Sequence, residues 1–179
     1  MRTVMETHRT RMIELLGERL AFERAAGKLY DAVLEKLHPR GGPFESVQAR
    51  LRFMREEERA HQEWLEEQVR ALGGDPERET GGSLVLRGEW RRIAGEIEGD
   101  QEPIQLFHAL LRAELLDTGG WEVLVELAGS AQDEEAREAL TQRLHEEQEH
   151  LLFVRHLVSV FAPVAVLDTT TSALESASL

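Results

Sequence analysis

A chain of 179 residues and 20.3 kDa is long enough for one domain with a sizeable core and short for two. It contains no cysteine, which excludes disulfides, thiolate metal sites, iron–sulfur clusters and cysteine nucleophiles, so any metal must be held by nitrogen and oxygen. With 34 Asp and Glu against 21 Lys and Arg the formal charge is −13, which repels a phosphate backbone and argues against nucleic acid as a partner.

Proline is confined to Pro39, Pro43, Pro76, Pro103 and Pro163, leaving long blocks rich in Ala, Leu, Glu and Arg that favour helix. The first block, from about Met5 to His38, carries Ile13, Leu16, Leu20, Glu23, Gly27, Tyr30, Leu34 and Leu37 in steps of three and four, a helix with one buried seam. It stops at His38-Pro39-Arg40-Gly41-Gly42-Pro43. The second block, about Phe44 to Leu72, has its seam at Val47, Leu51, Met54, Glu58, His61, Leu65 and Leu72. The intervening turn is short, which predicts antiparallel packing of these two helices.

Residues 73 to about 101 carry Gly81-Gly82, Gly88, Gly95 and Gly99 without a sustained period, and read as a long crossover that could hold a short helix over Leu86–Ile97. Pro103 suits the first turn of a third long helix, whose seam runs through Ile104, Phe107, Leu111, Glu114, Trp121, Leu124 and Ala128 to Gly129. Ser130, with Asp133 three residues on, is expected to cap a fourth. That helix carries Leu140, Leu144, Glu147, Leu151, Val154, Val158 and Phe161 and is expected to end before Pro163, leaving 162–179 as a flexible tail. The expected fold is all-α: an antiparallel four-helix bundle over residues 1–161 with one long crossover between the second and third helices.

A buried seam should be apolar, since an unpaired carboxylate in a core costs several kcal/mol. Every seam here is interrupted near its middle, by Glu23, by Glu58 and His61, by Glu114, and by Glu147 and His150. In an up-down bundle these positions share one level, and two divalent cations would cancel the four negative charges. A Glu with a His three residues on presents both ligands from one helix face. The pattern also repeats internally: Glu57-Glu58-Arg59-Ala60-His61 parallels Glu146-Glu147-Gln148-Glu149-His150, and Glu23 precedes Tyr30 by the same seven residues that separate Glu114 from Trp121.

The ordered pattern of Glu, E-x-x-H, Glu and E-x-x-H on successive helices resembles the ferritin-like di-iron carboxylate superfamily, over roughly residues 12–161, and within it the rubrerythrin-like and bacterioferritin-like bundles. The resemblance implies that Glu23 and Glu114 are terminal or bridging ligands and that Glu58 with His61, and Glu147 with His150, each give a carboxylate and a nitrogen ligand. It implies two Fe ions, although oxygen and nitrogen donors also suit manganese, a mixed Fe/Mn pair or zinc. The activity it implies is oxidation of Fe(II) by O2 or H2O2, with a separate electron donor if the reaction is a peroxidase. Iron storage, an organic-substrate oxygenase and a helical interaction module without catalysis are the alternatives. In bacterioferritin-like sites a tyrosine placed like Tyr30 bonds a ligand or donates an electron, which makes Tyr30 a catalytic candidate; a core tyrosine with a satisfied hydroxyl is the competing reading.

Asp117, one turn beyond Glu114, is a seventh ligand, a partner fixing a ligand histidine, or a surface residue. Trp121 reads as core packing, and Gly119-Gly120 as a close helix approach or a bulge. Glu57, Glu146 and Glu149 are expected to face water. Glu35-Lys36-Leu37-His38 is rejected as a ligand pair because it abuts Pro39 beside the seam, and His8, His108, His145 and His156 read as surface or packing residues. Uninterrupted apolar runs such as Leu151–Val154 and Val164–Leu167 fall far short of a membrane span, and no secretory signal is visible at Met1–Thr10. A cytoplasmic protein without a membrane partner is expected, dimerising through exposed apolar positions such as Phe53 and Trp64.

Overall fold

The computed structural model describes residues 2–40 and 42–167. Its elements are α1 (Arg2–Leu37), two short 3-10 turns (His38–Arg40 and Gly42–Phe44), α2 (Glu45–Ala71), α3 (Gly81–Glu96), α4 (Pro103–Ser130) and α5 (Glu134–Leu167), with no strand among the described residues. α1 is kinked at His8, whose backbone leaves the helical region.

Cross-helix bonds fix the directions. From α1 to α2, Leu37 pairs with Gln48, Asp31 with Arg55 and Arg24 with Glu66, so residue numbers fall on one helix as they rise on the other. Phe107 meets Phe161, and Glu114 meets His150, which sets α4 against α5 in the same sense. α1 is also antiparallel to α4, through Arg19 with Asp117 and Tyr30 with Glu114. α2 and α4 therefore run parallel, and only a long connection can join them.

That connection differs from the expectation. The crossover holds a 16-residue helix, α3, starting five residues before the short helix the sequence suggested. Thr80 caps it: the Ser83 amide donates to Thr80 Oγ1 at 3.0 Å and the Thr80 amide to Ser83 Oγ at 2.9 Å. This box offsets the glycines at its start. Trp90, Ile93 and Ile97 are buried, with Trp90 edge-on against Phe22 of α1 at 4.9 Å between ring centroids.

Both ends of α5 also depart from the sequence reading. Ser130 is the last residue of α4, and Asp133 is the cap, its Oδ1 accepting the Ala136 amide at 3.1 Å. At the far end the helix passes through Pro163 to Leu167, since proline near a terminus removes few backbone bonds. The rest of the expected tail, 168–179, lies outside the described residues. Measured over a window rather than by unbroken runs, α5 is long and apolar enough to cross a membrane, with mean hydropathy 1.8 over 18 residues, of which 28% are buried. Part of that hydropathy is the inward face formed by Leu151, Val154, Leu157 and Phe161.

The apolar core is divided. One cluster gathers Tyr30, Leu51, Phe107 and Phe161, the other Leu16, Leu65, Trp121 and Leu140. The polar residues of the four seams lie between these clusters, along the same helices.

Candidate metal centre

The six seam residues converge. Glu23 on α1, Glu58 and His61 on α2, Glu114 on α4, and Glu147 and His150 on α5 are all buried at 0–1% exposure, far beyond what an ordinary surface carboxylate shows. Their donor atoms form two overlapping groups, Glu23, Glu58, His61 and Glu147 in one and Glu58, Glu114, Glu147 and His150 in the other, each with its ligand atoms within 4.8 Å of one another. Glu58 and Glu147 belong to both. The shared carboxylates are thus those of the E-x-x-H pairs, and Glu23 and Glu114 stand at opposite ends.

Both imidazoles turn Nδ1 inward. His61 Nδ1 lies 2.7 Å from Glu147 Oε1 without hydrogen-bond alignment, and His150 Nδ1 lies 3.5 Å from Glu58 Oε1. Their outer nitrogens meet carboxylates across the α2–α5 interface: His61 Nε2 is 2.7 Å from Glu146 Oε2, and His150 Nε2 is 2.9 Å from Glu57 Oε2. Glu57 and Glu146, expected in water, are only 24% and 28% exposed and fix the two rings. Their identical place in the repeat, one residue before each shared Glu, was the available signal. Glu149 does face solvent, 3.4 Å from Arg50.

The terminal carboxylates are held reciprocally across the hairpins. Tyr30 on α1 donates its hydroxyl to Glu114 Oε1 at 2.6 Å, and Trp121 on α4 donates Nε1–H to Glu23 Oε1 at 3.0 Å. Trp121 is therefore a buried donor as well as packing. Asp117 is buried and outside both ligand groups; its Oδ1 accepts from Arg19 Nη2 at 2.6 Å, and Arg19 Nε donates to Glu23 Oε1 at 2.9 Å. Of the three readings of Asp117, none names this partner: it reaches a carboxylate through an arginine, not a histidine. Arg19 itself had one sequence signal, a cation one turn before Glu23 on a seam of Leu16 and Leu20. Trp64, expected to be exposed, is half-buried beneath Arg143 and against Trp121; Phe53 is exposed. Glu35, His38, His8, His108 and His145 are exposed, and His156 is half-buried, all apart from both ligand groups.

Burial raises the pKa of Glu23 and Glu114 well above the ordinary range; Arg19 opposes the rise at Glu23, while Glu58 and Glu147 add to it at both. Burial disfavours charge on His61, but Glu146, Glu147 and Glu23 prevail and hold its pKa up to about 10. Burial likewise opposes ionisation of Glu147, but His150 and His61 hold it down to about 2. Tyr30 is pushed well up by burial and then by Glu114, so its hydroxyl remains a donor at neutral pH.

Eight buried atoms of the six residues have no hydrogen-bond partner: Glu23 Oε2, both oxygens of Glu58 and of Glu147, Glu114 Oε2, and the Nδ1 atoms of His61 and His150. Buried polar atoms are normally satisfied, so this concentration is compatible with a bound metal ion. They divide into two sets of three oxygens and one nitrogen, a donor set that divalent Fe, Mn or Zn accepts.

A family model described as a ferritin-like domain matches residues 13–162. No curated protein matches the chain.

Proposed function

The chain belongs to the ferritin-like domain family, and from that premise we propose that it is a dimetal oxidoreductase which oxidises Fe(II) with O2 or H2O2. The observation that carries this reading is the set of eight unpartnered buried donors, shared between two groups that overlap at Glu58 and Glu147. One ion would be held by Glu23 and His61, the other by Glu114 and His150, with Glu58 and Glu147 common to both. Two such ions, when bound, supply one electron each to the oxidant.

The chain's own residues do the rest. Four carboxylates balance two divalent charges in a site sealed by apolar clusters on either side, which excludes water and strengthens every electrostatic contact within. Glu57 and Glu146 keep the Nδ1 lone pairs of His150 and His61 inward by holding the proton on Nε2. Tyr30 holds Glu114 through one oxygen and stands as the group able to pass a proton or an electron beside it. Iron is the metal that suits a redox role; zinc with the same donors has none.

The test is anaerobic Fe(II) loading of metal-free protein followed by O2 or H2O2. Ferric absorption should grow in at a rate that Glu58→Ala and Glu147→Ala abolish. An unchanged rate in both variants would overturn the proposal.

A further inference from the structure

The two ends of the site are not held alike. Glu114 Oε1 receives one neutral donor, the Tyr30 hydroxyl, whereas Glu23 Oε1 receives Trp121 Nε1–H and the cationic Arg19 Nε–H. The internal repeat supplies no counterpart. Four residues before Glu114 stands Leu110 where Arg19 precedes Glu23, and three residues after Glu23 stands Ala26 where Asp117 follows Glu114.

Arg19 is 6% exposed and each of its three nitrogens donates a hydrogen bond: Nε to Glu23, Nη1 to the Asp117 carbonyl at 3.2 Å, and Nη2 to Asp117 Oδ1 at 2.6 Å. The Phe22 ring lies 4.2 Å from its guanidinium carbon. Space for the guanidinium comes from Gly120, where a Cβ would collide with Arg19 Nη1; a Cβ on neighbouring Gly119 would meet nothing. The glycine pair inside α4 is thereby accounted for at one of its two positions.

We propose that Arg19, fixed by Asp117 and admitted by Gly120, is a positioning residue that withholds one oxygen of Glu23 from the metal and makes the cation position at Glu23 and His61 the weaker of the two. This rests on the dimetal reading above. Glu23 Oε1 is occupied by a charged donor and an indole, leaving Oε2 alone to face the site. A carboxylate sharing its charge with a guanidinium has less to give a second cation, and the buried guanidinium repels that cation at short range. Asp117 meets the far nitrogens of the fork, whereas the near nitrogen meets Glu23. At Glu114 the Tyr30 hydroxyl likewise occupies Oε1 and leaves Oε2 to face the site, but a neutral phenol neither draws off the carboxylate's charge nor repels a cation, so the charge of Arg19 is what sets the two ends apart.

The test is calorimetric titration of the metal-free full chain with Co(II), which counts and ranks ions without turnover. Wild type should bind two ions in steps about tenfold or more apart, the scale on which partners of metal ligands act. In Arg19→Met/Asp117→Asn, which removes the pair without leaving a lone charge, the weaker step should tighten about tenfold while the tighter step stays put. Gly120→Ala, which displaces the guanidinium and keeps every charge, should narrow the gap in the same direction, and it decides alone if circular dichroism shows the double variant unfolded. Two equal steps in wild type, or a separation unchanged in the variants, overturn the proposal and leave the dimetal reading standing. So does weakening of both steps together, which is what a mere packing role gives. Failure of wild type to bind two ions overturns both.

Discussion

Glu57 of α2 reaches across the bundle to His150 of α5, its Oε2 2.9 Å from the ring Nε2, while Glu146 of α5 returns the contact to His61 of α2 at 2.7 Å. Each histidine is thus aimed by the residue preceding the shared carboxylate of the opposite helix. The two halves of the site are locked together by the same exchange.

Glu57→Ala and Glu146→Ala should each weaken metal affinity by about 10–100-fold while leaving helix content unchanged, because the ring loses the acceptor that fixes its tautomer and direction. Competition with a chromophoric chelator measures this. Glu149→Ala, on the solvent-facing neighbour of the same helix, is the control and should bind as wild type; equal losses in all three would show a general charge effect instead.

The four long helices and the six converging groups were legible because the three-four period and its polar interruptions coincide, and burial cannot be escaped by residues on a seam. The partners of those groups were harder to read. Glu57 and Glu146 sit one residue off the seam, where a helical wheel points toward water, and only the antiparallel α2–α5 register brings them to the opposite imidazoles. α3 was obscured by its glycines, although Thr80 and Ser83 spell a cap and Leu86, Trp90, Ile93 and Ile97 follow a four-three-four spacing. The Arg19–Asp117 bond joins residues 98 apart in sequence and has no local signature.

α3 is held by its cap and by Trp90, so both should matter for stability and neither for metal binding. Thr80→Ala removes the acceptor of the Ser83 amide and should cost about 1 kcal/mol. Trp90→Ala opens a cavity against Phe22 and should cost about 3–5 kcal/mol. Denaturant unfolding gives both figures; a two-ion stoichiometry retained by both folded variants would separate the crossover helix from the site.

Tyr30→Phe deletes only the hydroxyl that donates to Glu114 at 2.6 Å, leaving Oε1 a buried acceptor without a donor. The metal-free protein should lose about 1–3 kcal/mol, measured by urea unfolding. Fe(II) oxidation should slow in the same variant if Tyr30 acts at the site as proposed. A variant as stable as wild type would mean the hydroxyl bond contributes nothing net.

Proton linkage gives the metal-free protein a stability that falls as pH rises. Burial, with neighbouring carboxylates adding, raises Glu23 and Glu114 well above the unfolded value of 4.5, so the folded chain retains protons the unfolded chain has released and loses stability as pH climbs. His61 contributes in the same direction: burial opposes its charge, Glu146 and Glu147 outweigh burial, and the stabilisation present below the unfolded value of 6.5 is lost as pH rises through about 10. Glu147, held to about 2 by His150 and His61 against burial, contributes stability above 4.5 that disappears as pH falls toward 2. The unfolding midpoint of the metal-free protein should therefore peak at mildly acidic pH and decline steadily from about pH 5.5 to pH 9. Metal replaces the protons shared among these groups, so saturation with Co(II) should flatten that decline and release protons on binding. Thermal unfolding across this range, with and without Co(II), reads the effect directly; a metal-free midpoint that stays level or rises with pH would mean the carboxylates are not held in the low-dielectric setting their burial implies.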